Sequence, residues 1–389
     1  MTRHVHLAVA LDGAGWHPAA WREAEARPAE LFTAGYWADL VATAERAHLD
    51  FVSIEDGLPL QSARRFEPDE RTDQVRGRLD AVLIASRVAP RTSGIGLVPA
   101  VTTTHTEPFH ISKAIATLDW VSTGRAGVQV RVGGGAVEAR LFGRRTDQVE
   151  RPLRSPAALA DSFDEAADHV EVVRRLWDSW EDGAEIRDAA TGRFVDRDRL
   201  HYIDFAGRWF SVRGPSITPR PPQGQPVVAA LAHITPAYRL AVRQADLVFT
   251  TPLDPAHAAA ILAELDTESA AAQRDPLVFA DLLVFVGPAG RLSRLDGLDG
   301  APLVSDARVV AGSAAEIADT VHELHELGFA GVRLRPGVLP TDLVAIADAV
   351  VPELRRRGLF RDAYAEGTLR ARFGLPRPAN RYAPIGGPA

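Results

Sequence analysis

Apolar residues in this chain fall into short runs, separated by longer stretches in which they recur every three or four positions. The short runs are Val5–Leu11, Phe51–Glu55, Ser93–Val101, Arg125–Val132, Val227–Ala232, Leu247–Thr250, Leu277–Val286 and Gly331–Leu334, and each has the length and β-branched content of a strand. Between them the pattern predicts helices over Tyr36–Ala47, Arg78–Ala85, His110–Leu118, Phe163–Trp180, Pro236–Arg243, Pro255–Leu265, Ala314–Leu327 and Leu343–Arg357. In Phe163–Trp180 the apolar stripe runs through Phe163, Ala166, Ala167, Val170, Val173, Leu176 and Trp177, the spacing of one helix face.

Strands alternating with helices imply parallel βαβ units. Eight of them predict an α/β architecture, a (β/α)8 TIM barrel with insertions after strands 4 and 7. Residues 1–389 are expected to form one barrel domain, with excursions at about 143–160 and 182–222 and a surface-wrapping tail at 370–389. Active sites of such barrels lie at the carboxyl ends of the strands. That rule selects Asp12, Asp56, Thr102–His105, Gln129–Gly135, Ala232–Thr235, Thr250–Thr251 and Arg333–Pro336.

Composition narrows the chemistry. With 46% hydrophobic residues in 389, there is ample material for one large core. A formal net charge of −7 argues against a nucleic-acid or anionic-membrane surface. The absence of cysteine removes disulfides, thiolate metal sites and a cysteine nucleophile. The amino end reads as a strand rather than a signal peptide. No stretch approaches the roughly 18 apolar residues of a membrane span, so a cytoplasmic protein is expected.

At the strand ends, Gly133-Gly134-Gly135 lacks the spacing and the lysine of the nucleotide-binding fingerprints and reads as a tight turn that also admits a flat ligand. Asp56, before Gly57, is either a helix cap or a ligand contact. Thr102, Thr103 and Thr104 offer hydroxyls to a polar ring or a ribityl chain, and His105 is a candidate acid–base. Trp16 is the tryptophan best placed to line a pocket. Neither histidine–carboxylate metal spacing nor a GxSxG elbow is present, so no metal is expected.

Several stretches together resemble the bacterial luciferase-like flavin-dependent monooxygenases, in particular the subgroup of the nitrilotriacetate, EDTA and dibenzothiophene-sulfone enzymes. They are Leu31–Asp39, Asp50–Leu58, Thr103–His110 with Leu118-Asp119, Gly124–Gly127, Glu138–Gly143, Leu176–Asp182, Gly207–Pro215, Pro222–Pro226, Val351–Arg361 and Thr368–Arg370. The resemblance implies reduced FMN supplied by a separate flavin reductase, activation of O2, transfer of one oxygen atom to a small organic substrate, and a homodimer. It places Asp56, Thr102 or Thr103, and Gln129 around the flavin ring. His105, Arg131 and Trp16 fall on the substrate side, with His105 and Arg131 the candidate catalytic residues.

The chain departs from the family pattern on the phosphate side. Val128–Gly133 lacks the family's Trp, Thr and Ser, while Leu159, Phe163 and Ile234 stand where hydroxyl or imidazole donors are usual. Two or three lost charged hydrogen bonds, at roughly 1.5–3 kcal/mol each, correspond to about three orders of magnitude in affinity. His233, Arg131 and the arginines of Arg144–Arg154 are the cations available to compensate. Two further readings stay open. One is a deazaflavin-dependent hydride transfer, which requires Arg131, Arg144, Arg145 or Arg154 to face the cleft. The other is a flavin-site-degenerate homologue with a different catalytic or binding role.

Overall fold

A computed structural model describes residues 4–62, 64, 67–133, 136–143 and 155–383. The eight expected runs become His6–Leu11, Phe51–Ile54, Gly96–Thr102, Gly127–Arg131, Val227–Leu231, Leu247–Thr250, Leu277–Val286 and Gly331–Pro336. Each pairs in parallel with the next, and the last pairs with the first, so the sheet closes into a (β/α)8 barrel. A further strand, Arg308–Gly312, extends the outer half of the seventh along Leu282–Val286. Together with helix Arg291–Asp299 it forms the insertion after strand 7. The insertion after strand 4 holds helix Ala136–Phe142, the long helix Pro156–Asp178 and two short hairpins. Residues 144–154 of the first excursion lie outside the described residues.

Helix starts follow local chemistry. The side chains of Thr33, Asp80, Ser155 and Asp254 each accept a first-turn backbone N–H, and Ser313 with Glu316 forms a capping box.

Strand alternation sorts each strand into an inner and an outer face. Val101 and Val130, paired in register, pack outward against helices, while their neighbours Thr102 and Arg131 face the opposite way. Inside, the base of the barrel is filled by Phe51, Phe249, Phe279 and Phe373, with ring centroids 5.8–6.1 Å apart. Gly331 begins the eighth strand because the Phe279 ring occupies the space a Cβ would need. Leu369, which opens the short helix Leu369–Arg372, and Phe373, which caps its carboxyl end, close the base from below.

Around that base the chain is stitched by buried polar groups. Gln223 Nε2 donates to Asp119 Oδ1 (2.5 Å) and to the Ala126 carbonyl (2.7 Å), and Gln223 Oε1 accepts from the Arg370 backbone (2.8 Å). Arg125 directs its guanidinium to Ser122, Ala89, Thr92 and Ile95. Burial pushes the Asp119 carboxyl up to about 6, although several donors oppose the shift. A raised carboxyl pKa means that the folded state keeps a proton the unfolded chain has released. The associated stability is full below about pH 4 and lost as pH rises through about 6. In urea unfolding, Asp119→Asn should therefore improve relative to wild type by about 2 kcal/mol between pH 4.5 and 7.5. A difference independent of pH would refute the shift.

Candidate active site

The inner face changes character above the aromatic base. Four strands contribute Ser53 and Glu55, Gln129 and Arg131, Asp281, and Arg333 and Arg335, all at the carboxyl-terminal half of the barrel. Asp281 is fully buried between two arginines. It accepts from Arg333 Nε (2.8 Å) and Nη2 (2.5 Å) and from Arg335 Nε (2.9 Å) and Nη2. Burial pushes its carboxyl up, but the two guanidinium groups outweigh that and hold it below the ordinary range.

The remaining donors of these arginines are also engaged. Arg333 Nη1 reaches Gln129 Oε1 (2.7 Å), Ser53 Oγ (3.0 Å) and Glu55 Oε1 (3.3 Å), and its guanidinium lies 4.0 Å from the Phe249 ring centroid. Arg335 Nη1 reaches Asp306 Oδ1 (2.6 Å).

This network links several of the residues selected from the sequence. Trp16 lies over the Arg335 guanidinium at 4.5 Å and donates its indole N–H to the Ala10 carbonyl. His233 joins through Nδ1 to Thr251 Oγ1 (2.9 Å), with Nε2 3.7 Å from Asp306. Gln129 is completely buried. Arg131, at the rim, uses Nη1 for Glu55 Oε2 (3.3 Å) and for the Asp56 carbonyl, and 42% of its side chain stays exposed.

Other selected residues stand apart from it. The Asp56 carboxylate accepts from Gly57 N (2.7 Å) and from Ala81 N (3.0 Å) in the first turn of a helix, so its side chain works as a cap. Burial raises its pKa, against those two backbone donors. Thr102 faces the barrel interior at the end of the third strand. Thr103 turns outward. Its hydroxyl donates to the Arg131 carbonyl (3.1 Å), and it lines a small cavity behind the strands with Val101, Val130 and His169. Burial among apolar side chains pushes His169 down to about 3, which keeps it neutral.

His105 adopts a left-handed backbone (φ 69°) and stacks on Phe142, with ring centroids 5.3 Å apart, across the gap between the loops after strands 3 and 4. On the expected phosphate side, Leu159 and Phe163 are half-buried, and Ile234 is 43% exposed at a helix start that has no side-chain cap. Gly134, Gly135 and Arg144, Arg145 and Arg154 lie outside the described residues.

Sequence reading singled out neither Glu55, Asp281 nor Asp306. The available signal was a charge inside an apolar strand, Asp281 within LVFADLLVFV, since a charge so placed must be paired. A flavin ring presents an edge of carbonyl and nitrogen acceptors, and the mouth has a matching donor. Gln129 Nε2 is buried and has no acceptor among the described residues. Because Oε1 is fixed by the Arg333 donor, the orientation of the amide is chemically determined. The inner-face residues thus fit such a ring edge.

Comparison with known proteins agrees with this reading of the fold. Residues 14–289 match the family model of luciferase-like monooxygenases. The chain is 30% identical to N-acetyl-S-(2-succino)cysteine monooxygenase of Bacillus subtilis (strain 168), over 98% of this chain and 99% of that protein. It is also 30% identical to nitrilotriacetate monooxygenase component A of Aminobacter aminovorans, over 98% of each. The EDTA monooxygenase structure from Chelativorans sp. BNC1 superposes with a TM-score of 0.80 at 22% identity, covering 96% of this chain and 99% of that one. The chain belongs to the luciferase-like monooxygenase family.

Proposed function

We propose that this protein is the oxygenase of a two-component system. It receives reduced FMN from a separate flavin reductase, uses O2, and oxygenates a small organic substrate at the barrel mouth. When bound, the flavin supplies the oxygen-activating chemistry. Gln129 Nε2 donates to the acceptor edge of the ring, Thr102 borders it, and the buried Arg333–Asp281–Arg335 layer forms a rigid polar floor. Arg131, Trp16 and His105 line the substrate side, and His233 stands towards the ribityl phosphate. The reading makes the enzyme a homodimer, as the resemblance implies, and places it in the cytoplasm. The observation that carries it is Gln129 Nε2, buried without an acceptor among the described residues in a barrel that matches a monooxygenase family along most of its length.

The test is titration of the purified protein with oxidised FMN, reduced FMN and riboflavin, followed by fluorescence quenching. Reduced FMN should bind at micromolar concentration or tighter. Leu159, Phe163 and Ile234 carry no phosphate donors, so riboflavin should bind within about tenfold of FMN in the same oxidation state. Absence of saturable binding by any of the three would refute the flavin reading.

A further inference from the structure

Three arginines reach the carboxyl-terminal half of the barrel from its inner face, but they are not equivalent. Arg333 and Arg335 are each 1% exposed, and all of their terminal nitrogens are taken up by Asp281, Asp306, Glu55, Gln129 and Ser53. Within the buried layer, their two positive charges are balanced by Asp281 and Glu55. Glu55 is shared, because its Oε2 also meets Arg131. Arg131 therefore shares the Glu55 carboxylate with Arg333, and of the three guanidinium groups it is the one that reaches solvent, with 42% of its side chain exposed. The remaining member of the network, Asp306, is half-exposed and engages Arg335.

Arg131 stands two residues beyond Gln129 on one strand, so both side chains project from the same face. Gln129 contributes a buried amide N–H pair with no acceptor among the described residues, and Arg131 contributes a guanidinium that uses only Nη1 on protein acceptors among those residues. A buried donor left without an acceptor is costly, so its persistence beside a solvent-facing cation calls for a ligand that supplies both an acceptor and a negative charge.

The geometry points to an oxyanion subsite formed by Gln129 Nε2 and the Arg131 guanidinium at the end of the fourth strand. Its ligand is a delocalised anion with oxygen acceptors. Two sources have that chemistry: the anionic pyrimidine edge of a reduced flavin, and a carboxylate of the substrate. The flavin source rests on the function proposed above, whereas the subsite itself does not.

The experiment has two arms, each run on wild type, Arg131→Gln and Gln129→Met, with thermal melting as a folding control. In the first, anaerobic titrations compare reduced with oxidised FMN. If the flavin anion occupies the subsite, wild type favours the reduced form, and Arg131→Gln loses about 10- to 100-fold of that preference while oxidised FMN binding stays within about threefold. In the second, calorimetry measures succinate binding to the protein without flavin. If a carboxylate occupies the subsite, Arg131→Gln weakens succinate by about tenfold or more. A shift in either arm supports the subsite and names its source.

If both variants fold and neither reduced-flavin preference nor succinate affinity moves, the inference is overturned. If wild type binds no flavin at all, the function proposed above falls, and the succinate arm alone decides the subsite. Gln129→Met also removes an acceptor from Arg333. Should it fail to fold, the half-exposed Arg131→Gln carries the test.

Discussion

Replacing Asp281 with Ala should lower the unfolding free energy by about 3–5 kcal/mol, a large part of what a domain typically has. Two guanidinium groups, each 1% exposed, face this single carboxylate from the eighth strand. Without it Arg333 retains Glu55, Gln129 and Ser53, and Arg335 retains Asp306, but both lose the partner that takes two of their nitrogens. The penalty is that of stranded buried charge rather than lost volume, so a second substitution separates the two. Adding Arg333→Met to Asp281→Ala removes one stranded cation, and the double variant should be less destabilised than the sum of the single changes by more than about 1 kcal/mol.

The pH dependence gives an independent check. The folded-state pKa of Asp281 is depressed, so its contribution is present above the ordinary carboxylate range and is lost as pH falls below about 4. Equilibrium urea unfolding of the four proteins at pH 7 and in steps from about pH 4 down to about pH 2.5 reads both effects. A simple sum of the single effects, with no loss of the Asp281 contribution in acid, would show that the layer is not held by charge.

Several of the eight barrel strands were legible because they are covered on both faces and so carry a nearly unbroken apolar run. Leu247–Thr250 and Leu277–Val286 emerge with the expected bounds. Arg308–Gly312 was not legible. It pairs with the outer half of the seventh strand, stays half-buried or exposed, and its apolar run is only three residues long, Val309–Ala311. Helix Arg291–Asp299 buries Leu295 alone, so its stripe is too faint to read.

The site was less legible for a different reason: its bonds join residues distant in sequence. Arg333 meets Asp281 across 52 positions, Gln129 across 204 and Glu55 across 278. Only closure of the barrel brings these strands into register, and no local pattern announces it. Asp56 illustrates the converse. Its place after a strand and before a glycine fits both a cap and a ligand contact, and the structure uses its carboxylate as a cap.

Many of the segments that carried the family resemblance gather at the base of the barrel, away from the mouth. Leu118-Asp119, Gly124–Gly127, Pro222–Pro226 and Thr368–Arg370 meet in the Asp119–Gln223–Arg370 cluster. Asp50, from another such segment, is held by His6, Arg361 and the Leu7 backbone N–H. These groups close the ring of strands from below, which explains why the fold was recognisable while the mouth, with Arg131 and Gly133, departs from the family pattern. In barrels of this kind the base maintains stability and the top carries chemistry.

That division makes Gln223→Met a discriminating variant. Methionine keeps the length of the side chain but removes its donors and its acceptor. Asp119 Oδ1, the Ala126 carbonyl and the Arg370 N–H then each lose a buried partner, and at about 1–3 kcal/mol apiece the cost is roughly 3–9 kcal/mol. The Gln223 backbone N–H still reaches Asp119 Oδ2 (3.0 Å), which keeps the estimate towards the lower end. The variant should melt well below wild type. At a temperature where it remains folded, its affinity for reduced FMN should stay within about twofold of the wild-type value, because none of the three stranded groups belongs to the Arg333–Asp281 layer. A tenfold loss of flavin affinity without a drop in melting temperature would mean that the base of the barrel takes part in cofactor binding, and the separation of stability from chemistry in this chain would have to be abandoned.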